Sequence, residues 1–295
     1  MPLGRGVQTF TRDDLTFDVT DSGPAEGEVV VLLHGFPQDR TAWDSVTPAL
    51  NAAGLRTLAP DQRGYSPGAR PRSRTAYTME ELSADTLALL DAAGAKRAHL
   101  VGHDWGGALA WALADRHPDR VASLTALSTP HPAAMGWAFT HGDQWKKSWY
   151  MVFFQLPWLP ERAVARGLHD LYTHHGVAAE QAAKYVARFN NPQELRGPLG
   201  WYRSMPASRS MKRSLASLRK GRSAGASQPR RITVPTTFIW GSRDFALGRA
   251  AAEKTREFVC GDYEFIELDE SHWLPEVVPD VVAEAVLQRV RSVGR

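Results

Sequence analysis

Short runs rich in β-branched residues alternate along the chain with Ala- and Leu-rich stretches in which apolar residues recur every three to four positions. Strands joined by crossover helices produce this alternation, so the pattern predicts an α/β protein with a mostly parallel central sheet flanked by helices. Segments 6–11 and 15–20 read as an opening hairpin. The run VVVLL at 29–33 suits a strand buried on both faces, and 55–59 repeats it. Residues 80–93 (EELSADTLALLDAA) read as a helix that ends at Gly94 before a strand at 98–101. A helix over 105–117, strands over 121–127, 236–240 and 263–268, and a last helix over 280–290 complete the pattern.

The interval between Leu127 and Thr236 is different. It is rich in aromatics, Pro and Arg, with helical stretches and no convincing strand. An insertion that leaves and rejoins a sheet at consecutive strands is compatible with one continuous core. The expected organisation is therefore a core in two parts, 1–129 and 233–295, with a helical cap inserted at 130–232.

Composition adds mainly exclusions. The 295 residues are 43% hydrophobic and 23% charged, which rules out disorder as the main state. No window approaches the ~18 consecutive apolar residues of a membrane-spanning helix, and MPLGRGVQTFTRDD lacks the apolar run of a secretory signal. A soluble cytoplasmic protein is the expectation. The lone cysteine, Cys260, forms no internal disulfide and no thiolate metal site of the usual spacing, and reads as a small buried hydrophobe. A formal charge of +3 is mild, and its one local excess, 209–231, has the Ser, Gly and Ala content of a solvated connector with some helix. Nothing matches a nucleic-acid reading motif.

Candidate chemistry begins at Leu100–Gly107, LVGHDWGG, where a strand enters a tight turn and then a helix. Small residues must flank a nucleophile in such an elbow, and Gly102 and Gly106 meet that demand around Asp104. The helix behind it aims amides at developing negative charge. A carboxylate nucleophile displaces at an sp³ carbon and leaves an alkyl-enzyme ester for water to hydrolyse, which suits epoxides and alkyl halides. His34-Gly35-Phe36-Pro37 follows a buried strand, and its turn can present the Phe36 amide beside that of Trp105 as an oxyanion hole. His34 itself reads as a structural hydrogen-bonding residue. Ester hydrolysis also requires a base and an orienter for it. Asp244 follows the strand at 236–240, and His272 alone of the ten histidines follows the last strand. Its neutral form would be available above the ordinary imidazole pKa of ~6.5.

The elbow, the His-Gly-Phe-Pro turn, the late Asp and the late His resemble the α/β-hydrolase superfamily over nearly the whole chain. GHDWGG with Asp followed by Trp is similar to epoxide hydrolases and haloalkane dehalogenases, whereas esterases and lipases carry Ser there. Trp105 argues against the fluoroacetate dehalogenases, which usually have Arg at that place. Epoxide hydrolases share two cap tyrosines that hold the epoxide oxygen and donate a proton as the ring opens. One lies in Asn-Trp-Tyr-Arg preceded by Arg-Gly-Pro-Leu; this chain reads RGPLGWYR at 196–203, with Gly200 for Asn, which implies Tyr202. The other precedes an aromatic-Phe-Gln-x-Pro segment, which implies Tyr150 in WYMVFFQLP at 149–157. Gly200 leaves the local backbone freer than Asn would. Trp137, Trp149, Trp158 and Trp201 read as cap core or pocket wall.

The resemblance implies an epoxide hydrolase that uses no metal or organic cofactor and acts on a small-molecule epoxide. The catalytic set is Asp104, His272, Asp244, Tyr150 and Tyr202, with Phe36 and Trp105 at the oxyanion and substrate. Two alternatives stand beside it: a haloalkane dehalogenase with the same triad, and a low-turnover ligand-binding protein on the same fold. Monomer and homodimer are both open.

Overall fold

The computed structural model describes residues 6–205 and 231–293; the basic connector, apart from Arg231, lies outside the described residues. Eight strands form one sheet: β1 (Thr9–Arg12), β2 (Leu15–Ser22), β3 (Val29–Leu33), β4 (Arg56–Pro60), β5 (Ala98–His103), β6 (Val121–Leu127), β7 (Thr236–Gly241) and β8 (Tyr263–Leu268). Their order is β1-β2-β4-β3-β5-β6-β7-β8. β1 and β2 form the expected hairpin, β2 runs antiparallel to β4, and every later pairing is parallel.

The two-sided burial expected of the central strands is present. β5, β6 and β7 are buried at every residue, because helices cover both faces of a parallel sheet. Each Leu, Ile or Val so buried contributes about 1.5–3 kcal/mol of transfer free energy. At the far edge β8 alternates between half-buried and exposed positions. Two groups of helices flank the sheet: α2 (Met79–Ala92) packs on α3 (Trp105–Arg116), which covers β5 and β6, and α1 (Thr47–Ala52) packs on the C-terminal helix Pro279–Val293, which covers β6 and β7.

Between β6 and β7 the chain forms α4 (Pro132–His141), α5 (Gln144–Lys147), α6 (Trp149–Phe153), α7 (Leu159–Thr173), α8 (Ala179–Phe189) and α9 (Arg196–Ser204). Polar contacts tie this insertion to core loops: the Tyr172 hydroxyl donates to the Pro37 carbonyl at 2.8 Å, and the Trp201 indole to that of Arg63 at 2.8 Å. One expectation about a single residue fails and another narrows. Cys260 is exposed, its thiol turned to the Ile232 carbonyl where the chain comes off the bridge between Ile232 and Val259. Trp149 and Trp158 are 66% and 59% exposed, so neither is cap core, whereas Trp201 is buried. Among the described residues no helix is long and apolar enough to cross a membrane.

Candidate active site

β5 ends at His103 and α3 starts at Trp105, leaving Asp104 alone in the turn with φ 50° and ψ −118°. A non-glycine residue held there costs about 1–3 kcal/mol, so neighbours must impose it. They do so by close approach. A Cβ on Gly106 would strike the Leu33 carbonyl, and one on Gly35 would lie against the Asp104 side chain, 2.7 Å from Oδ1. The Thr129 hydroxyl donates to the Asp104 carbonyl at 2.8 Å and fixes the turn from the other side.

The Asp104 carboxylate meets the predicted partners. Its Oδ1 accepts the Phe36 amide at 2.7 Å, and Oδ2 lies 3.6 Å from His272 Nε2. Trp105 opens α3, so its amide has no intrahelical acceptor and belongs to the free first turn of the helix. His272 Nδ1 lies 2.7 Å from Asp244 Oδ2, while Asp244 Oδ1 accepts the Ala246 and Leu247 amides at 2.7 and 2.9 Å. Three acceptor contacts thus hold a carboxylate with no exposed side-chain surface. His34 bonds backbone on both sides, at Gly35 and Gln62.

The electrostatics change one expectation. Burial favours neutral His272, but the charges of Asp244 and Asp104 and the hydrogen bonds to them outweigh it and push the imidazole up to about 10. Burial likewise works against ionised Asp104; the hydrogen bond and charge of His272 prevail and hold its carboxyl below the usual range. The resting site is an imidazolium between two carboxylates, not the free base expected above pH ~6.5.

Tyr150 on α6 and Tyr202 on α9 approach the same carboxylate. Their rings cross at 6.0 Å between centroids, and Tyr202 meets the edge of Phe36 at 5.2 Å and of Trp105 at 5.0 Å. Burial and the charge of Asp104 raise both phenols, so both stay protonated. Neither hydroxyl donates a hydrogen bond to a carbonyl or carboxylate among the described residues, and that of Tyr202 is hydrogen-bonded by the Trp105 side chain. Gln155 Nε2 donates to the Tyr202 carbonyl at 3.0 Å and joins the two tyrosine helices, and Arg203 pairs with Glu161 at 2.7 Å. Gly200 is not a point of freedom: a Cβ there would sit 2.9 Å from the Tyr77 ring.

Several contributing residues carried no sequence signal. Gln144, 1% exposed, donates to the Ala246 carbonyl at 2.8 Å and accepts the Gly248 amide at 2.9 Å; Lys147 donates to the Asp244 carbonyl at 2.8 Å. The insertion therefore grips the loop that carries Asp244. Ser128 and His103 both bond the His272 carbonyl. His103, adjacent to Asp104, is the one of these that the elbow motif could have revealed.

A family model described as alpha/beta hydrolase fold matches residues 28–277. Epoxide hydrolase A of Mycobacterium tuberculosis is 30% identical over 313 residues, covering 92% of each chain. The chain belongs to the α/β-hydrolase superfamily and, within it, to the epoxide hydrolase family. Another relative of this family member, the AB hydrolase superfamily protein YfhM of Bacillus subtilis, is 33% identical over 304 residues, 98% of this chain and 99% of that one. Among solved structures, epoxide hydrolase A from Mycobacterium thermoresistibile superposes with a TM-score of 0.78 at 28% identity, covering 97% of each chain. The superfamily assignment makes this hydrolase's elbow and late histidine the natural place to look for its chemistry.

Proposed function

We propose that the protein hydrolyses epoxides to vicinal diols through an ester on Asp104, with α4–α9 as the cap over the site. The observation that carries this reading is the pair of protonated phenols, Tyr150 and Tyr202, beside the one ionised carboxylate presented at the elbow. A ring oxygen leaving carbon becomes an alkoxide, and a buried phenol is the donor that such a leaving group requires. A halide needs no proton.

Asp104 attacks a ring carbon, the carbon–oxygen bond breaks, and the oxygen takes a proton from Tyr150 or Tyr202. The ester is neutral, so His272 loses one of the two charges that held its proton. That proton restores the tyrosine and leaves His272 as a neutral base oriented by Asp244. His272 then takes a proton from water as the oxygen attacks the ester carbonyl, whose oxyanion is held by the Phe36 and Trp105 amides. Collapse expels the diol oxygen, which is protonated by the imidazolium; the new carboxylic acid returns its proton to His272, and the resting ion pair is restored.

A single turnover of excess enzyme with styrene oxide in ¹⁸O-water tests the scheme. Label in the Asp104 carboxyl with unlabelled diol is expected; label in the first-turnover diol would refute it. Halide release from an alkyl halide with full activity in the Tyr150→Phe, Tyr202→Phe double variant would assign the dehalogenase reading instead.

A further inference from the structure

A second layer of polar groups lies behind the triad and is not used by the scheme above. The His272 carbonyl accepts Ser128 Oγ at 2.7 Å and faces His103 Nε2 at 2.9 Å. His103 Nδ1 lies 2.8 Å from Gln38 Oε1, which also accepts the Gly35 amide at 3.0 Å. Gln38 Nε2 donates in turn to Glu276 Oε1, which accepts the Tyr185 hydroxyl at 2.7 Å. Glu276 sits on the short helix Leu274–Val277 with its carboxyl turned inward; Oε2 is buried and has no partner among the described residues. One carboxyl is thereby joined to the backbone of the base on one side and to the amide preceding Phe36 on the other.

Hydrogen counting leaves one contact in this chain of bonds without its proton. Gln38 Oε1 is committed as an acceptor by the Gly35 amide, so both nitrogens of His103 face acceptors, and a neutral ring with one N–H satisfies only one of them. A second proton would charge the ring, which Asp104 and Asp244 would favour. Burial and the nearby His272 oppose that charge on His103 and push it down to about 3, while burial pushes Glu276 up to about 7 against the donors Tyr185 and Gln38. The carboxyl therefore changes charge within the working range of most enzymes.

The groups facing Glu276 are Tyr185 of α8, Tyr172 of α7 and His272. In the turn Arg40–Trp43, packed on the same helix, Arg40 lies near Asp61 at 3.7 Å, and the neighbouring Asp39 lies 3.9 Å from Arg188. Asp280, on the following helix, is exposed. No cation besides the histidines competes for the carboxyl among these.

We infer that Glu276 is a positioning residue: its negative charge supports the imidazolium of His272, and its hydrogen-bonded link through Gln38 and the neutral His103 to the His272 backbone holds the base in place for ester hydrolysis. The role in turnover rests on the epoxide reading; the electrostatic link to His272 does not.

The test is a titration of ¹⁵N-histidine resonances in wild type, Glu276→Gln and Glu276→Asp, paired with rapid-quench measurement of ester formation and breakdown on styrene oxide. In Glu276→Gln the His272 titration is expected to fall by roughly one pH unit, the size of a neighbouring buried charge, with hydrolysis slowed about tenfold at pH 8 and ester formation within about twofold of wild type. Glu276→Asp keeps the charge and should recover most of the shift. Tyr185→Phe, which removes one donor and weakens the anion, should act in the same direction and serves if the first variant does not fold. An unmoved His272 titration, or equal losses in both steps that track a lowered thermal midpoint, would overturn the inference. A shifted titration in an enzyme that forms no ester would uphold the link and discard the epoxide reading.

Discussion

The charge that Asp104 places on His272 can be removed without removing bulk. Asp104→Asn keeps the side-chain shape and an acceptor for the Phe36 amide, and its neutral carbonyl stands in for the ester. In the wild type the carboxylate oxygen lies 3.6 Å from His272 Nε2, and both side chains are largely shielded, at 15% and 3% exposure. Two unit charges at that separation interact by about 4 to 5 kcal/mol at an effective dielectric constant of about 20, an upper figure equivalent to roughly three pH units. His272, held up to about 10 in the resting protein, is therefore expected to titrate near 7 in the variant, roughly three units lower. Asp244 still holds its other nitrogen, so the value should not fall far below the ordinary imidazole range. Two-dimensional ¹H–¹⁵N spectra of ¹⁵N-histidine protein between pH 5 and 10.5 read both titrations directly. If His272 titrates at the same pH in both proteins, or is already neutral at pH 7 in the wild type, then alkylation of Asp104 does not create the base, and the proton accounting proposed for ring opening is wrong.

Tyr202→Phe and Tyr150→Phe should each slow ester formation, by about 10²-fold if each acts like a single preorganised donor, and leave hydrolysis of a preformed ester near wild type. Equal slowing of both steps in rapid-quench traces would count against a role in ring opening. Gly200→Asn, which installs the residue that resemblance predicts at this place, should lower stability by about 1–3 kcal/mol because its Cβ enters the Tyr77 ring; an unchanged denaturant midpoint would show that α9 shifts freely. Stability should also fall as pH rises. His272 binds its proton more tightly folded than unfolded, so its contribution is complete below ~6.5 and is lost toward about 10, and Glu276, raised to about 7, contributes a loss of the same sign at lower pH. Calorimetric midpoints that rise between pH 6 and 9 would contradict both assignments.

What could be read from the chain was whatever depends on local order. The strands lie within a few residues of their expected positions because two-sided burial demands mostly apolar runs, unbroken at Val29–Leu33 and interrupted only by Ser123 and Thr125 at Val121–Leu127. Asp104 was legible because its strained turn requires glycines on both sides, and His272 because it follows the last strand. Tyr150 and Tyr202 needed the family resemblance, since no periodicity separates a donor phenol from a packed one. The partners of Glu276 were not legible at all: Gln38 is 238 positions away in sequence, and only the folded sheet brings the two together. Nor was the protonated state of His272, which depends on distances to two carboxylates. Cys260 was misjudged, and Trp149 is no core residue, for one reason: apolar character predicts burial only where neighbouring elements arrive to provide it.

The grip of Gln144 and Lys147 on residues 244–248 bears on how the insertion can be exchanged. A graft that replaced the insertion wholesale, to import another enzyme's substrate preference, would discard three hydrogen bonds from the loop that carries Asp244. Under the proposed scheme, such chimeras should bind the donor enzyme's substrates and stall with the ester unhydrolysed, unless the stretch from Gln144 to Lys147 is retained from the recipient. The workable seam for recombination therefore lies inside the insertion, after Lys147, and not at the point where it leaves the sheet.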